Sequence, residues 1–165
     1  MITYLVRLVL LLLDWFWKAM DYRITDNKDE MDIDAIHDYL SSSYWAEGVP
    51  KSVVTKAIEN SLCFAVLAFD TNREEKQVGF ARLITDSATF AYLADVYILD
   101  EHRGKGLSKQ MMQQIIAHPQ LQGLRRMMLA TRDAHGLYEQ YGFTALTDQK
   151  MFMQLWKPDV YSQTS

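Results

Sequence analysis

Apolar positions along this chain change their spacing several times, and each change marks an element. Residues 22–25 (Tyr-Arg-Ile-Thr) alternate and predict a first strand. Asp26-Asn27-Lys28-Asp29 is a turn cluster, after which Asp29 or Asp32 can cap a helix carried by Met31, Ile36, Tyr39 and Leu40 to about Ser41. The run Ser-Ser-Ser-Tyr-Trp-Ala-Glu-Gly at 41–48 breaks that helix. Pro50 suits the first turn of a second one, with Val53, Val54, Ala57 and Ile58 on its inner face. Residues 62–69 are continuously apolar between polar neighbours, the mark of a buried strand. Residues 70–76 form a solvated connection, 77–85 the next strand, and Asp86-Ser87-Ala88 a turn.

The second half repeats the alternation of strand and helix. A strand over 90–99, with Leu93, Val96 and Ile98 apolar, runs into Arg103-Gly104-Lys105-Gly106-Leu107-Ser108. Leu107, Met111, Met112, Ile115 and Ile116 then recur at helical spacing until His118-Pro119 ends the helix. Residues 126–131 predict another strand. Ala134, Leu137, Tyr138 and Tyr141 share one helical face, and Gly142 can close that helix in a left-handed conformation. Residues 143–146 and 152–156 are expected to finish the sheet as a hairpin, and residues after Pro158 to form a tail. The predicted order is β-α-α-β-β-β-α-β-α-β-β, an α/β chain with a mixed sheet flanked by helices.

Composition narrows the function classes. At 165 residues with 49% hydrophobic content, residues 20–165 suffice for a single domain with a substantial core. A net charge of −4 gives no electrostatic case for nucleic acid. Cys63 is the only cysteine, which rules out an intrachain disulfide and suits a reducing, cytoplasmic setting. The four histidines are scattered, so no metal site is expected. Residues 1–19 stand apart: 2–13 are apolar except for Arg7, and Trp15 and Trp17 follow. The run is shorter than the roughly 20 residues of a membrane span and lacks a small-residue cleavage site. It reads as an extra helix or interfacial anchor, as a short tilted span, or as an overlong reading frame with its true start at Met20. An interfacial anchor or a tilted span, unlike a helix packed on the domain, would make the protein membrane-associated.

The stretch around Arg103 carries the chemistry. A strand feeding a glycine-containing loop that opens a helix collects free backbone amides and the positive end of a helix dipole, which suits a phosphate. Gly104 and Gly106 let the backbone approach a ligand closely, and Arg103 and Lys105 add charge. The spacing fits neither G-x-x-x-x-G-K-[ST] nor G-x-G-x-x-G. It does resemble the pyrophosphate loop of the GNAT superfamily of N-acetyltransferases, [RQ]-x-x-G-x-[GA], with Arg103, Gly106 and Ser108 in the defining positions. Ser108 departs from the usual Gly or Ala. Leu137-Tyr138-Glu139-Gln140-Tyr141-Gly142-Phe143 is similar to the same superfamily's [FL]-Y-[EK]-x-x-G-F segment. Together the motifs cover residues 21–157 in the order of elements that the superfamily shows.

That resemblance implies a mostly antiparallel central sheet with a splayed strand pair, and acetyl-CoA as co-substrate without a metal. Residues Arg103, Gly104, Lys105, Gly106, Leu107 and Ser108 would hold its pyrophosphate. Val96, Tyr97 and Ile98, on the splayed strand, would pair with the pantetheine arm and donate to the thioester oxygen. Tyr138 matches the family's general acid. An alkyl amine of pKa about 10.4 must lose a proton at a cost of roughly 4–5 kcal/mol at neutral pH, so a base is needed. Asp95 beside the splay is the leading candidate, ahead of Asp86, Glu47, Asp133 and His135. If a helix covers the face that Asp95 shares with Tyr97, Asp95 is structural instead. Thr131 or Asp133 stands where the family often has an Asn that contacts the cofactor. Tyr44, Trp45 and Glu47 fall in the loop that borders the acceptor pocket in this family, and aromatic faces with a carboxylate favour a cationic amine.

The expected activity is acetyl transfer to a primary amine of a small molecule by direct attack on the thioester. A protein N-terminus or lysine as acceptor, and a non-catalytic acyl-CoA-binding module, are the alternatives. A homodimer is left open.

Overall fold

The computed structural model describes residues 21–161; the expectations for residues 1–19 lie outside them. Five strands form one sheet in sequential order. They are β1 (Asp21–Thr25), β2 (Leu62–Phe69), β3 (Glu75–Thr85), β4 (Phe90–Ile98) and β5 (Arg126–Leu129). Neighbours β1 to β4 pair antiparallel, and β4 pairs with β5 in parallel. A parallel pair needs a crossover, and α3 (Leu107–Ala117) supplies it. Between β1 and β2 come α1 (Ile33–Ser42) and α2 (Lys51–Glu59), and after β5 a short α4 (His135–Glu139).

Local chemistry sets these boundaries. The Asp32 carboxylate accepts from the Ala35 amide and starts α1. Pro50 stands one residue ahead of α2, as its N-cap, not inside its first turn. The Asp86 carboxylate accepts the amides of Ala88, Thr89 and Phe90 and the Thr89 hydroxyl. These bonds hold its pKa well below the usual carboxylate range and commit it to the β3–β4 turn. Gly142, at φ +85°, terminates α4 as its sequence position implies, with the Phe143 amide returning to the Tyr138 carbonyl at 3.3 Å.

Each face of the sheet carries its own core. On one face Phe64, Val66, Val78 and Leu83 meet Met111, Met112 and Ile115 of α3. On the other Ala65, Leu67, Phe80 and Tyr97 meet Ile36 and Leu40 of α1 and Val54 and Ile58 of α2. The buried run of β2 serves both faces, which is why it shows no alternation. Cys63 is buried on it, and burial pushes its thiol up to about 11. Val53 and Ile116, expected inside, are exposed, because each lies at the margin of a stripe that its neighbours already fill.

The closing hairpin does not form. Residues 143–146 and 152–156 belong to no strand, and Met153 and Leu155 are 99% and 90% exposed. Alternation marks a segment fit for a sheet but does not supply the partner edge. β5 is only four residues long, and Phe152 meets it through its side chain, with the Arg126 guanidinium 5.3 Å from the ring centroid.

Two irregularities in β4 matter most. Its pairing with β5 stops at Leu93–Leu129, whereas its pairing with β3 continues to Ile98–Gly79. The β3–β4 register also slips: Phe80 faces Tyr97 while Arg82 faces Ala94, so Ala81 opposes both Asp95 and Val96. Asp95 sits in this bulge at φ +55°. Beside it, Gly79 admits the returning strand, since a Cβ there would lie 2.5 Å from Ile98 Cδ1 and 3.0 Å from the Tyr97 carbonyl oxygen. Gly79→Ala is therefore expected to lower the unfolding free energy by about 1–3 kcal/mol, read from urea denaturation. An unchanged midpoint would mean that β3 and β4 part freely at this point.

Candidate functional site

A cleft of about 1090 Å³ opens where β5 leaves β4. Its floor is the released end of β4, and all of residues 92–98 line it. On the β5 side, no strand takes up the backbone of β4 beyond Leu93 among the described residues. The Val96, Tyr97 and Ile98 stretch is thus exposed to a ligand by its main chain, while the Tyr97 ring is buried and stacked on Tyr39 at 3.7 Å between centroids.

The expected phosphate loop follows at one end. Gly106 caps α3 at φ +77° with no side-chain hydrogen bond, and the first return bond runs from the Gln110 amide to the Gly106 carbonyl at 3.0 Å. The amides of Leu107, Ser108 and Lys109 point out of the helix start, as helix geometry requires. Gly104, at φ +75°, makes the preceding bend. Leu107 is buried and pins the helix to the sheet. Arg103 and Ser108 line the cleft. Arg103 also braces the loop, with Nε donating to the Ile98 carbonyl at 3.0 Å and Nη1 2.9 Å from Asp100 Oδ1. Lys105 faces away: its ammonium donates to the Tyr22 hydroxyl at 2.9 Å, and that hydroxyl lies 3.0 Å from Nδ1 of buried His102. Burial, then the Lys105 charge, lowers the His102 pKa. The loop is therefore tied to β1.

The remaining predicted residues divide. Tyr138 of α4 is buried at the cleft wall, and its hydroxyl finds no hydrogen-bond partner among the described residues. Burial, with Asp133 and Tyr44 nearby, pushes that hydroxyl up to about 12. Tyr44 and Trp45 line the opposite wall, edge to face at 4.9 Å. Glu47 is exposed and stands outside the lining. Asp86 and His135 are likewise outside it.

Asp95 lines the cleft, but both its oxygens are engaged. Oδ2 accepts from Arg82 Nε at 2.7 Å and Oδ1 from Trp45 Nε1 at 3.2 Å, with the side chain only 11% exposed. Arg82 in turn reaches the Ser61 hydroxyl at 3.2 Å. This group braces the bulge and the Tyr44–Trp45 loop together. Arg82 was legible as the one charge in an otherwise apolar strand segment, Val78 to Ile84. Asp100 is paired with Arg103. Asp133 is the lining carboxylate with no ion-pair or hydrogen-bond partner among the described residues. Arg132, which no sequence pattern marks, stacks on Tyr44.

Comparison with known proteins agrees with this architecture. The family model of the GNAT acetyltransferases matches residues 12–143. A candidate acetyltransferase of Gibberella zeae is 36% identical over 140 residues, which cover 74% of this chain and 78% of that one. A crystal structure of a GNAT-family protein from Xanthomonas campestris pv. campestris is 47% identical, with a TM-score of 0.79, covering 86% of this chain and 97% of that chain. A Clostridium acetobutylicum protein solved with acetyl-CoA shares the fold at a TM-score of 0.56 and 18% identity, covering 82% of this chain and 95% of that chain.

Asp95→Asn is expected to cost roughly 2–3 kcal/mol of stability, less than a fully enclosed ion pair because both partners keep some water contact. A double-mutant cycle with Arg82→Gln should show strong coupling. Additive losses would mean that the pair holds nothing together.

Proposed function

The chain belongs to the GNAT acetyltransferase family, and from that premise we propose that it moves the acetyl group of acetyl-CoA to a primary amine of a small molecule. The observation that carries this reading is the release of β4 from β5 beside the uncapped start of α3. Those two features offer main-chain donors to an extended amide-bearing arm and outward amides to a diphosphate. The glycines at 104 and 106 both take left-handed φ, which lets the backbone bend sharply into the start of α3.

In this reading the amides at the start of α3, with Ser108 beside them, hold the pyrophosphate and Arg103 stiffens the loop. The β4 main chain from Val96 to Ile98 orients the thioester and donates to its oxygen as negative charge grows there, a contribution of several kcal/mol. Tyr44 and Trp45 shape the acceptor wall. The amine nitrogen attacks the carbonyl carbon, the carbon–sulfur bond breaks, and the amine gives up a proton. Asp133, with its oxygens uncommitted, takes that proton directly or through a water. Asp95 keeps the bulge and Trp45 in position.

The raised pKa of Tyr138 favours one way for the sulfur to leave. Against a thiol near 8.5, a phenol at about 12 makes full proton transfer uphill by about 5 kcal/mol. Tyr138 therefore stabilises the departing thiolate as a hydrogen-bond donor, and solvent delivers the proton afterwards.

Release of free thiol from acetyl-CoA with a panel of primary amines tests the proposal, with CoA affinity measured alongside. Amine-dependent release supports it. CoA binding with no release for any amine would leave a binding module. Tyr138→Phe should lower kcat by roughly 10²-fold with little change in the KM for acetyl-CoA. Because a raised pKa keeps the phenol protonated, its loss should bring no fall in the wild-type rate below about pH 11. A fall between pH 8 and 10 that disappears in Tyr138→Phe would show that the phenol titrates normally and transfers its proton.

A further inference from the structure

The cleft carries a cation that the mechanism does not use. Arg132 follows β5, and its guanidinium carbon stands 3.9 Å from the centroid of the Tyr44 ring. That contact spans the mouth of the splay, from the loop after β5 to the loop after α1. The guanidinium lies over the exposed Tyr44 ring and is attracted to it by a cation–π contact. Its N–H edge is left open. Among the described residues no carboxylate comes within ion-pair distance of Arg132, whereas Arg23, Arg82 and Arg103 each have one. Among the described residues no protein acceptor takes its hydrogen bonds either. A permanently charged fork of five donors thus stands exposed, without a protein partner among the described residues, in the lining that also includes Tyr138 and Asp133. The carboxylate expected to set acceptor charge, Glu47, is outside this lining.

We propose, resting on the transferase reading above, that Arg132 stacked on Tyr44 recognises a carboxylate carried by the acceptor, so that the substrate is an amino acid rather than a plain amine. The planar fork of a guanidinium matches the two oxygens of a carboxylate, which a flexible ammonium does not. Asp133, the adjacent carboxylate in the same cleft, faces the substrate's ammonium end. The two side chains together complement a zwitterion, and the pair adds no net charge to the wall.

The test uses the full chain and matched compounds: an α-, a β- and a γ-amino acid, each beside its amide and its aminophosphonate. Thiol release gives kcat and KM for each, and calorimetry on the CoA-loaded protein gives affinities independent of turnover. At least one amino acid should be preferred over its amide by about ten- to a hundredfold, mostly in KM. Arg132→Gln should collapse that preference to near unity, Arg132→Lys should restore part of it, and Tyr44→Ala should weaken it where Tyr44→Phe does not. Preference for the aminophosphonate over the carboxylate would overturn the assignment of a carboxylate. Equal loss for acid and amide, no preference in rate or binding, or a matching loss of CoA affinity in Arg132→Gln would overturn the proposal. Acid-selective binding that depends on Arg132 but brings no thiol release would uphold it and remove the transferase reading alone.

Discussion

The parting of two parallel strands is the constraint from which the rest follows. β4 and β5 share a ladder for four residues and then diverge, so β4, next to the edge strand, has a stretch of main chain with one side unpaired. Buried polar backbone left without a partner is costly. A fold that keeps such a stretch needs either water or a ligand there, and everything around the cleft is arranged to keep it open. The bulge opposite Ala81 turns the strand, Gly79 gives the turned strand room, and the Arg82–Asp95 pair fixes the bulge from the α1 and α2 face.

Much of this was legible in the sequence because it rests on local chemistry. β2 was found with its observed ends, since a continuous apolar run between polar residues has few other solutions. The start of α3 was legible from its glycines, whose left-handed φ values are what a bend into a helix demands. Legibility failed where the deciding partner is distant in the chain. The segments at 143–146 and 152–156 have the alternation of strands, but no ladder forms on β5.

The site shows the same division. Tyr138 was marked by a motif and lies at the cleft wall. The situation of Asp95 depends on Arg82, thirteen positions away, and on Trp45, fifty positions away. Its position on the strand was readable, but the engagement of both its oxygens was not. Strand alternation did point to the deciding condition, whether a helix covers its face, and Tyr97 on that face is stacked against α1. Arg132 carried no signal at all, because its meaning comes from an aromatic ring delivered by another loop.

The enclosure of Cys63 also governs how the reaction can be watched. It is the only sulfhydryl in the chain, it is buried, and its pKa near 11 leaves about one molecule in a thousand as thiolate at pH 8. A chromogenic disulfide reagent reacts through the thiolate, so in the native protein it would count the thiol released by the proposed transfer against an almost silent background. The same reagent added with denaturant counts one equivalent per chain, which gives the enzyme concentration from the same cuvette.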